Sequence, residues 1–163
     1  MLETKVINVR DTVPPGGYAV GKDGKANIWK TTDNYVYIGR NRWRKDTNFG
    51  NPWSHKPVNE DVRIAASHTE AVGNYWAWLE GSAFHDVEPE RRAWILENIL
   101  ALEGKCLGCF CRPPEACHGE ALISMLKIKR DREAPGTKPS TLSKAWPFAF
   151  DSKRRKSLLW EKK

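Results

Sequence analysis

The sequence predicts a small, layered α/β domain with a short, mainly parallel sheet flanked by helices, followed by a basic C-terminal extension. Two short segments, residues 4–9 and 35–38, are rich in the β-branched and aromatic residues that favour strands. The segments that follow carry apolar residues at helical spacing. The resulting order of strand, helix, helix, strand and helix is typical of an α/β layer fold, and 163 residues suffice for one such domain.

The N-terminal third of the chain combines strands, turns and one long loop. The strand at residues 4–9 precedes turns at Pro14–Gly17 and Gly21–Gly24, and Gly39 ends the strand at residues 35–38. Residues 40–58 show no hydrophobic period, so we expect a long ordered loop there. Loops of this length in compact domains are usually functional or disordered.

Three helices are predicted in the remainder of the domain. Ser67 and Glu70 form a capping box for the first helix, which Gly81 ends. Pro89 suits the first turn of the second helix, which extends to Gly104. Residues 105–111 are predicted as a buried strand, and residues 116–129 as the last helix. Residues 1–130 are thus interpreted as one α/β domain, and residues 131–163 as a basic, partly ordered tail.

The charge of the chain is concentrated at its C-terminal end. Residues 127–163 contain 12 Lys and Arg against four acidic residues, a net charge of +8. The whole chain has a net charge of +7, so residues 1–126 carry −1. Basic tails commonly contact nucleic acid or another polyanion. A solvated tail that promotes solubility is the alternative.

No apolar segment reaches the roughly 18 residues that a membrane span needs, and the N-terminus lacks the features of a secretory signal. We therefore expect a cytoplasmic protein without a membrane partner. In a reducing compartment, the four cysteines between positions 106 and 117 are more suited to metal binding or chemistry than to disulfides.

The cysteine segment predicts a zinc site. Residues two apart on a strand point to the same face, which places Cys109 and Cys111 side by side. Cys117 and His118 follow at the start of a helix and complete a set of four ligands. Cys106 is predicted to lie on the other strand face as a core thiol, and it is kept as a reserve ligand. A group of buried thiols without metal is the alternative.

Cys117 also permits a second chemical interpretation. A cysteine at a helix N-terminus lies near unpaired N–H groups and the positive end of the helix dipole, which lower its pKa. Beside His118, Cys117 is then a candidate nucleophile or a thiol that contacts an anion. This interpretation does not explain the Cys109 and Cys111 pair, so zinc is preferred.

The long loop and the tail combine arginines with aromatic residues, as sites that bind phosphates and bases do. Predicted nucleic-acid contacts are Arg40, Arg42, Arg44, Lys153, Arg154, Arg155, Lys156 and Trp160. Tryptophans that cover the sheet, with solvated arginines beside them, would give the same pattern. Pro52 holds Asn51 extended, so that its amide either contacts a nucleobase or ties the loop. His68 and His85 are interpreted as structural or surface residues.

Several motifs in this order resemble a known family. They are Tyr37-Ile38-Gly39-Arg40, Gly50-Asn51-Pro52-Trp53, Tyr75, Trp78-Leu79, Gly104-Lys105, Cys109-x-Cys111 and Cys117-His118-Gly119. Over about residues 35–126 the chain resembles domain-of-unknown-function family 4326, a set of small bacterial and bacteriophage proteins. The resemblance implies that the arginine loop and the cysteine cluster form one site, and it implies no activity. The first 34 residues, Cys106 and the basic tail depart from the family pattern.

Three functions are compatible with these features. The first is a zinc-binding module, a phage-type accessory protein that binds nucleic acid or a nucleotide. The second is an enzyme that acts on a nucleotide or nucleobase through Arg40, Asn51, Cys117 and His118, and the third is a protein-binding inhibitor of a host factor. Ligands collect at the carboxyl ends of parallel strands. We therefore expect the strands before Arg40 and at Cys111 to be parallel neighbours, with Arg40, Asn51 and His118 converging on one cleft.

Overall fold

The structure is a computed structural model that describes residues 3–112 and 115–136. The strands are β1 (Lys5–Asn8), β2 (Ala19–Val20), β3 (Ala26–Asn27), β4 (Tyr35–Tyr37), β5 (Trp53–Ser54), β6 (Arg63–Ile64) and β7 (Cys106–Cys109). The helices are α1 (His68–Glu80), α2 (Pro89–Asn98) with a 3₁₀ turn at Ile99–Leu102, and α3 (His118–Glu133). The α/β class predicted from sequence is confirmed.

The central sheet has three strands in the order β1-β7-β4, and both pairings are parallel. Asn8 lies opposite Cys109, and Tyr37 lies opposite Gly108, so the three carboxyl ends meet at one edge. The expected parallel pairing of the strands that end near Gly39 and Cys111 is confirmed. The loops that follow β4 and β7 therefore begin side by side.

Each face of the sheet buries a separate apolar cluster. Leu107 and Cys109 of β7 belong to the larger core, which the helices cover. Cys106 belongs to the smaller cluster on the opposite face, with Ile7, Val9 and Tyr35. The alternation follows from the two-residue period of a strand. It confirms that Cys106 is a core thiol on the other face from Cys109.

Helix α1 begins and ends where its capping residues are. Ser67 Oγ accepts a hydrogen bond from the Glu70 amide at 3.1 Å, and the Glu70 carboxylate accepts one from the Ala66 amide. Gly81 ends the helix in the left-handed conformation at φ 82°. Glycine has no Cβ to oppose this conformation, so Gly81 can act as the C-cap. Both predicted boundaries of α1 therefore have a local cause.

The core of the domain is closed by buried aromatic side chains with polar ends. Trp78 is fully buried, and its indole N–H donates to the Val87 carbonyl at 2.6 Å. Tyr75 is also fully buried, and its hydroxyl donates to the Phe49 carbonyl at 2.7 Å. These bonds offset the cost of burying polar atoms and fix the loop around residue 49 against α1.

Some segments differ from their sequence prediction. The loop at residues 40–58 contains β5, which pairs in parallel with β6, because Trp53 is buried against Trp78 and Phe84. Helix α3 continues past residue 130 to Glu133. Ion pairs from Lys129 to Glu133 and from Arg130 to Glu103 support this last turn. The predicted tail beyond residue 136 lies outside the described residues. None of the described helices is long and apolar enough to cross a membrane.

Candidate metal centre and cleft

Three cysteines form one cluster at the edge of the central sheet. The sulfur atoms of Cys109, Cys111 and Cys117 all lie within 4.8 Å of one another. The sulfurs of Cys109 and Cys117 are 3.2 Å apart. Zn–S bonds of about 2.3 Å place the sulfur ligands of a tetrahedral zinc about 3.8 Å apart. Small side-chain adjustments therefore suffice for the three sulfurs to hold a metal ion.

The cluster is assembled where a strand, its following loop and a helix meet. Cys109 is the last residue of β7, and Cys117 is the N-cap of α3. The Gly119 amide at the start of α3 donates to the Cys117 sulfur at 3.4 Å. A cysteine in this position satisfies a helix N–H group that would otherwise have no partner.

Hydrogen bonds within the cluster shift the pKa values of Cys109 and Cys117 in opposite directions. Hydrogen bonds from the side chains of Cys111 and Cys117, together with the backbone of Cys111, lower the pKa of Cys109 to about 4. The hydrogen bond between Cys117 and Cys109 raises the pKa of Cys117. This direction is opposite to the lowered pKa that the position of Cys117 at a helix N-terminus predicts. Of Cys109 and Cys117, Cys109 is therefore the one whose thiolate form the surroundings favour. Sulfur atoms that already carry negative charge are the form that binds metal.

His118 lies outside this group, which departs from the predicted set of four ligands. Its Nε2 donates to the Ile38 carbonyl oxygen at 2.7 Å, and its ring meets Tyr75 edge-on at 5.4 Å between centroids. Cys117 is the N-cap and His118 the first residue of α3, so the two side chains diverge. His118 thereby joins the start of α3 to the end of β4.

Cys106 is likewise not a member of the cluster. It is buried on the opposite face of the sheet, beside Tyr35 and Val9. The reserve ligand predicted from the sequence is therefore a packing residue. This leaves three cysteines as the candidate ligands among the residues that the structure describes.

The side chain of Asn8 supports the cluster from the neighbouring strand. Its Nδ2 donates to the Cys111 carbonyl at 2.8 Å, and its Oδ1 accepts from the Arg10 amide at 2.8 Å. Asn8 is buried and fixes the backbone immediately after β7. This role was not predicted from the sequence. The sequence feature that could have indicated this role is the position of Asn8, a polar residue, at the end of an apolar strand.

A cleft of about 1150 Å³ opens above the cluster. Cys109, Cys111, Arg40, Asn51 and His118 all line it, as the expected shared cleft requires. Its remaining walls come from the segments around β4, β5, β6 and the start of α1. Cationic and acidic residues alternate along these walls, so the described part of the cleft is mixed in charge rather than strongly basic.

Arg40 and Asn51 hold the loop that forms one wall. Arg40 Nη1 donates to the carbonyls of Asn51 and Trp53 at 3.4 and 3.3 Å. Asn51 Nδ2 donates to the Ala71 carbonyl at 2.9 Å, and its Oδ1 accepts from the Trp53 amide at 2.9 Å. The amide of Asn51 therefore ties the loop to α1, which was the alternative to contacting a nucleobase. Burial lowers the pKa of Arg40.

Gly50 allows this loop to approach the chain after β4. A Cβ atom at position 50 would lie 2.6 Å from the Cα and 2.7 Å from the nitrogen of Arg40. Any larger residue would thus force one of the two backbones to move. Arg91, which is buried, donates to the Gly50 carbonyl and to Asn48 Oδ1. It is a loop-holding cation that was not predicted from the sequence.

Aromatic residues form the outer part of the cleft. The ring of Tyr37 meets Trp29 edge-on at 6.3 Å between centroids. It also meets Phe110 edge-on, at 6.1 Å. Trp29 is 57% exposed and Phe110 42% exposed. Burial raises the pKa of Tyr37. Large aromatic side chains at this level of exposure form a surface that a planar ligand can cover.

The other predicted nucleic-acid contacts are divided between the cleft and the tail. Arg42 lies over the ring of Trp43 at 4.6 Å, and both line the cleft. Arg44 is exposed and is not among the residues that line it. Lys153, Arg154, Arg155, Lys156 and Trp160 lie outside the described residues.

Comparison with known proteins assigns the chain to a protein family. The family described as Domain of unknown function (DUF4326) matches residues 22–128, which is more than half of the chain. The match contains the cysteine cluster and the residues that line the cleft, and it leaves out Asn8. No curated protein and no solved structure matches the chain. The chain belongs to the DUF4326 family.

Proposed function

We propose that this protein is a zinc-dependent enzyme that acts on a nucleotide or nucleobase bound in the cleft. The observation that carries the proposal is the group of three cysteine sulfurs. Two of these cysteines, Cys109 and Cys111, line the cleft. Structural zinc sites are usually closed by four protein ligands, whereas catalytic sites keep one position for water or substrate. Three ligands beside an open cleft match the second arrangement.

The residues around the cluster support zinc over a harder cation. Thiolate ligands select soft or borderline metals, and no carboxylate belongs to the described group. The Cys109 sulfur already accepts hydrogen bonds, including one from the backbone of Cys111. Such hydrogen bonds orient metal ligands and stabilise their negative charge.

The walls of the cleft favour a ligand with both a phosphate and a planar ring. Arg40 uses Nη1 for its two described carbonyl contacts, and a guanidinium has further donors that fit phosphate oxygens. The exposed rings of Trp29 and Phe110 provide a face on which a base can stack. A nucleotide combines these two features in one molecule.

Zinc bound in this way would supply a Lewis acid and would lower the pKa of a bound water. Zinc held by cysteine or histidine ligands activates the attacking water in nucleobase deaminases, which shows that such ligand sets are compatible with chemistry on bases. The chain itself contributes Arg40 to hold the ligand and the cysteines to fix the reacting position. We infer a hydrolytic reaction on this basis.

The first experiment measures metal content and ligand binding of the purified full chain. Elemental analysis is expected to find about one zinc per chain in the wild type and in Cys106→Ser, and much less in Cys109→Ser and Cys111→Ser. Cys106→Ser is the matched control, because Cys106 lies on the same strand but on its opposite face. A folded wild type without zinc would contradict the proposal.

Ligand binding is measured by calorimetry with nucleoside monophosphates and with the four nucleobases. We expect binding by the wild type and by Cys106→Ser, and weaker binding by Arg40→Ala. Mass spectrometry of each mixture then detects a hydrolysed product. If the protein contains zinc but binds neither a nucleotide nor a nucleobase, it is a metal-binding protein and the proposed enzyme is refuted.

A nucleic-acid-binding module is the second candidate function, and a separate observation favours it. Trp43 is 80% exposed, although Arg42 lies over its ring at 4.6 Å. An exposed tryptophan with a stacked arginine is suited to single-stranded nucleic acid. The +8 charge of residues 127–163 would add contacts with phosphates. Weaker binding of a single-stranded oligonucleotide by Trp43→Ala, with zinc retained, would support this candidate.

A further inference from the structure

A pair of histidines outside the cysteine cluster lines the same cleft. His55 follows β5, and His68 is the first residue of α1. Their Nδ1 atoms are 3.3 Å apart, and their rings meet edge-on at 5.1 Å between centroids. The Nε2 atom of His68 is hydrogen-bonded to the carbonyl of Ala116, directly before Cys117. Neither histidine has a role in the proposed metal centre.

The Ala116 carbonyl determines where the protons of this pair lie. A carbonyl oxygen only accepts hydrogen bonds, so His68 Nε2 must carry a proton. In a neutral imidazole the other nitrogen is then an acceptor, which makes His68 Nδ1 the acceptor toward His55. His55 Nδ1 is therefore the donor, and the lone pair of its ring remains on Nε2.

The Nε2 atom of His55 is available to a ligand. Within residues 3–112 and 115–136, the described hydrogen bond of His55 is the one to His68. The ring of His55 is half-buried and lines the cleft. His68 thus fixes the ring by one nitrogen and leaves the other as an unprotonated acceptor.

We propose that His55 is the proton acceptor of the cleft and that His68 is its positioning residue. A hydroxyl or N–H group of a ligand in the cleft gives its proton to His55 Nε2, and the ligand atom keeps the electron pair. His55 becomes an imidazolium whose Nδ1–H still donates to His68. The inference rests on the proposed function for the identity of the ligand, and it supplies the base that the three cysteines lack.

The same distance would also suit a metal ion shared by both Nδ1 atoms. Nitrogen ligands of a tetrahedral zinc, with bonds of about 2.0–2.1 Å, lie about 3.3 Å apart. Zinc usually takes four ligands, however, and the pair belongs to no group of three or more ligand residues in the described part of the chain. The Ala116 contact fits both arrangements, because a ring with metal on Nδ1 also carries its proton on Nε2. The shortage of further ligands in the described part of the chain therefore favours the hydrogen bond.

The test is a long-range proton–nitrogen correlation spectrum of the full chain labelled with ¹⁵N-histidine, at alkaline pH where the rings are neutral. His68 and His118 are expected as Nε2–H tautomers, since both bond to carbonyls. His55 is expected as the Nδ1–H tautomer. Exposed His85 serves as the reference for the ordinary Nε2–H form, and His55→Gln and His85→Gln assign the signals.

The wild-type spectrum decides the inference without any substitution at His68. A His55 signal in the Nε2–H form would overturn it, as would unprotonated Nδ1 atoms on both rings in the presence of zinc. In His68→Phe, provided that it folds, His55 should return to the Nε2–H form. Diethyl pyrocarbonate should modify half-buried His55 faster than His68, both of whose ring nitrogens are hydrogen-bonded, and faster than His118, which is buried. Equal modification of the three would contradict a free His55 Nε2.

These measurements separate the inference from the proposed function, because they need neither zinc nor a nucleotide. If His55 is the Nδ1–H tautomer in a wild type that binds no zinc, His55 remains the proposed proton acceptor and the zinc enzyme is ruled out. If His55 is the Nε2–H tautomer in a protein that contains zinc, His55 is not the proton acceptor and the proposed metal centre stands.

Discussion

Asn8 and Cys111 are joined by a hydrogen bond of 2.8 Å between the Asn8 amide nitrogen and the Cys111 carbonyl oxygen. Asn8 lies on β1, opposite Cys109 of β7, so β1 holds the backbone at two of the candidate ligands, Cys109 and Cys111. The neighbouring strand thereby positions residues that are distant from it in sequence. A ligand pair on a flexible turn would lose side-chain and backbone entropy on binding a metal.

Asn8→Ala is expected to weaken zinc binding while the protein remains folded. Loss of a residue that orients metal ligands typically costs about 10–100-fold in affinity. Competition with a chromophoric chelator measures this change. Asn27→Ala is the matched control, since Asn27 accepts a local hydrogen bond from the Trp29 amide and has no described contact with the cluster. Equal zinc affinities of the two variants would show that Asn8 does not position Cys111.

His118→Phe is expected to keep the zinc content and to lose stability. The substitution leaves the Ile38 carbonyl without its partner at 2.7 Å in a buried site. An unsatisfied buried polar group costs about 1–3 kcal/mol in the free energy of unfolding. Urea denaturation measures the stability, and elemental analysis measures the zinc. A folded His118→Phe that has lost its zinc would instead restore His118 as a ligand.

Gly119→Ala is expected to destabilise the domain by moving α3 away from the sheet. A Cβ atom at this position would lie 2.6 Å from Val6 Cγ2 and 2.8 Å from Ile38 Cδ1. Overpacking of a tight core typically costs about 1–3 kcal/mol in the free energy of unfolding, which urea denaturation measures. In Gly21→Ala, the nearest atom at 2.8 Å belongs to the exposed side chain of Asp23, which can rotate. A loss in Gly119→Ala no larger than in Gly21→Ala would contradict the close packing.

Removal of residues 151–163 tests whether the basic tail binds nucleic acid. The truncation removes Lys153, Arg154, Arg155, Lys156, Lys162 and Lys163. Every phosphate that the shortened chain no longer neutralises should lower the slope of log affinity against log salt by about 0.7 for a single strand. Fluorescence anisotropy with a labelled oligonucleotide at several salt concentrations measures the slope. Identical slopes of the full and truncated chains would show that the tail neutralises no phosphates.

The α/β class and most helix boundaries could be predicted from local signals. Ser67, Gly81 and Pro89 act within one helical turn of their own position, so no distant contact is needed to place them. Strand β5 could not be predicted in this way. Trp53 enters a strand because its ring packs against Trp78 and Phe84, which are far away in sequence.

The sequence by itself determined which cysteines belong together. The two-residue period of a strand separates Cys106 from Cys109, and the position of Cys117 before a helix brings it back to the same edge. Tertiary structure alone decided that His118 and Asn51 bond to backbone carbonyls. It also decided that Asn8 supports Cys111 and that His55 meets His68. The physical reason is that a polar side chain takes whichever partner the packed chain places within reach, and sequence spacing does not encode that distance.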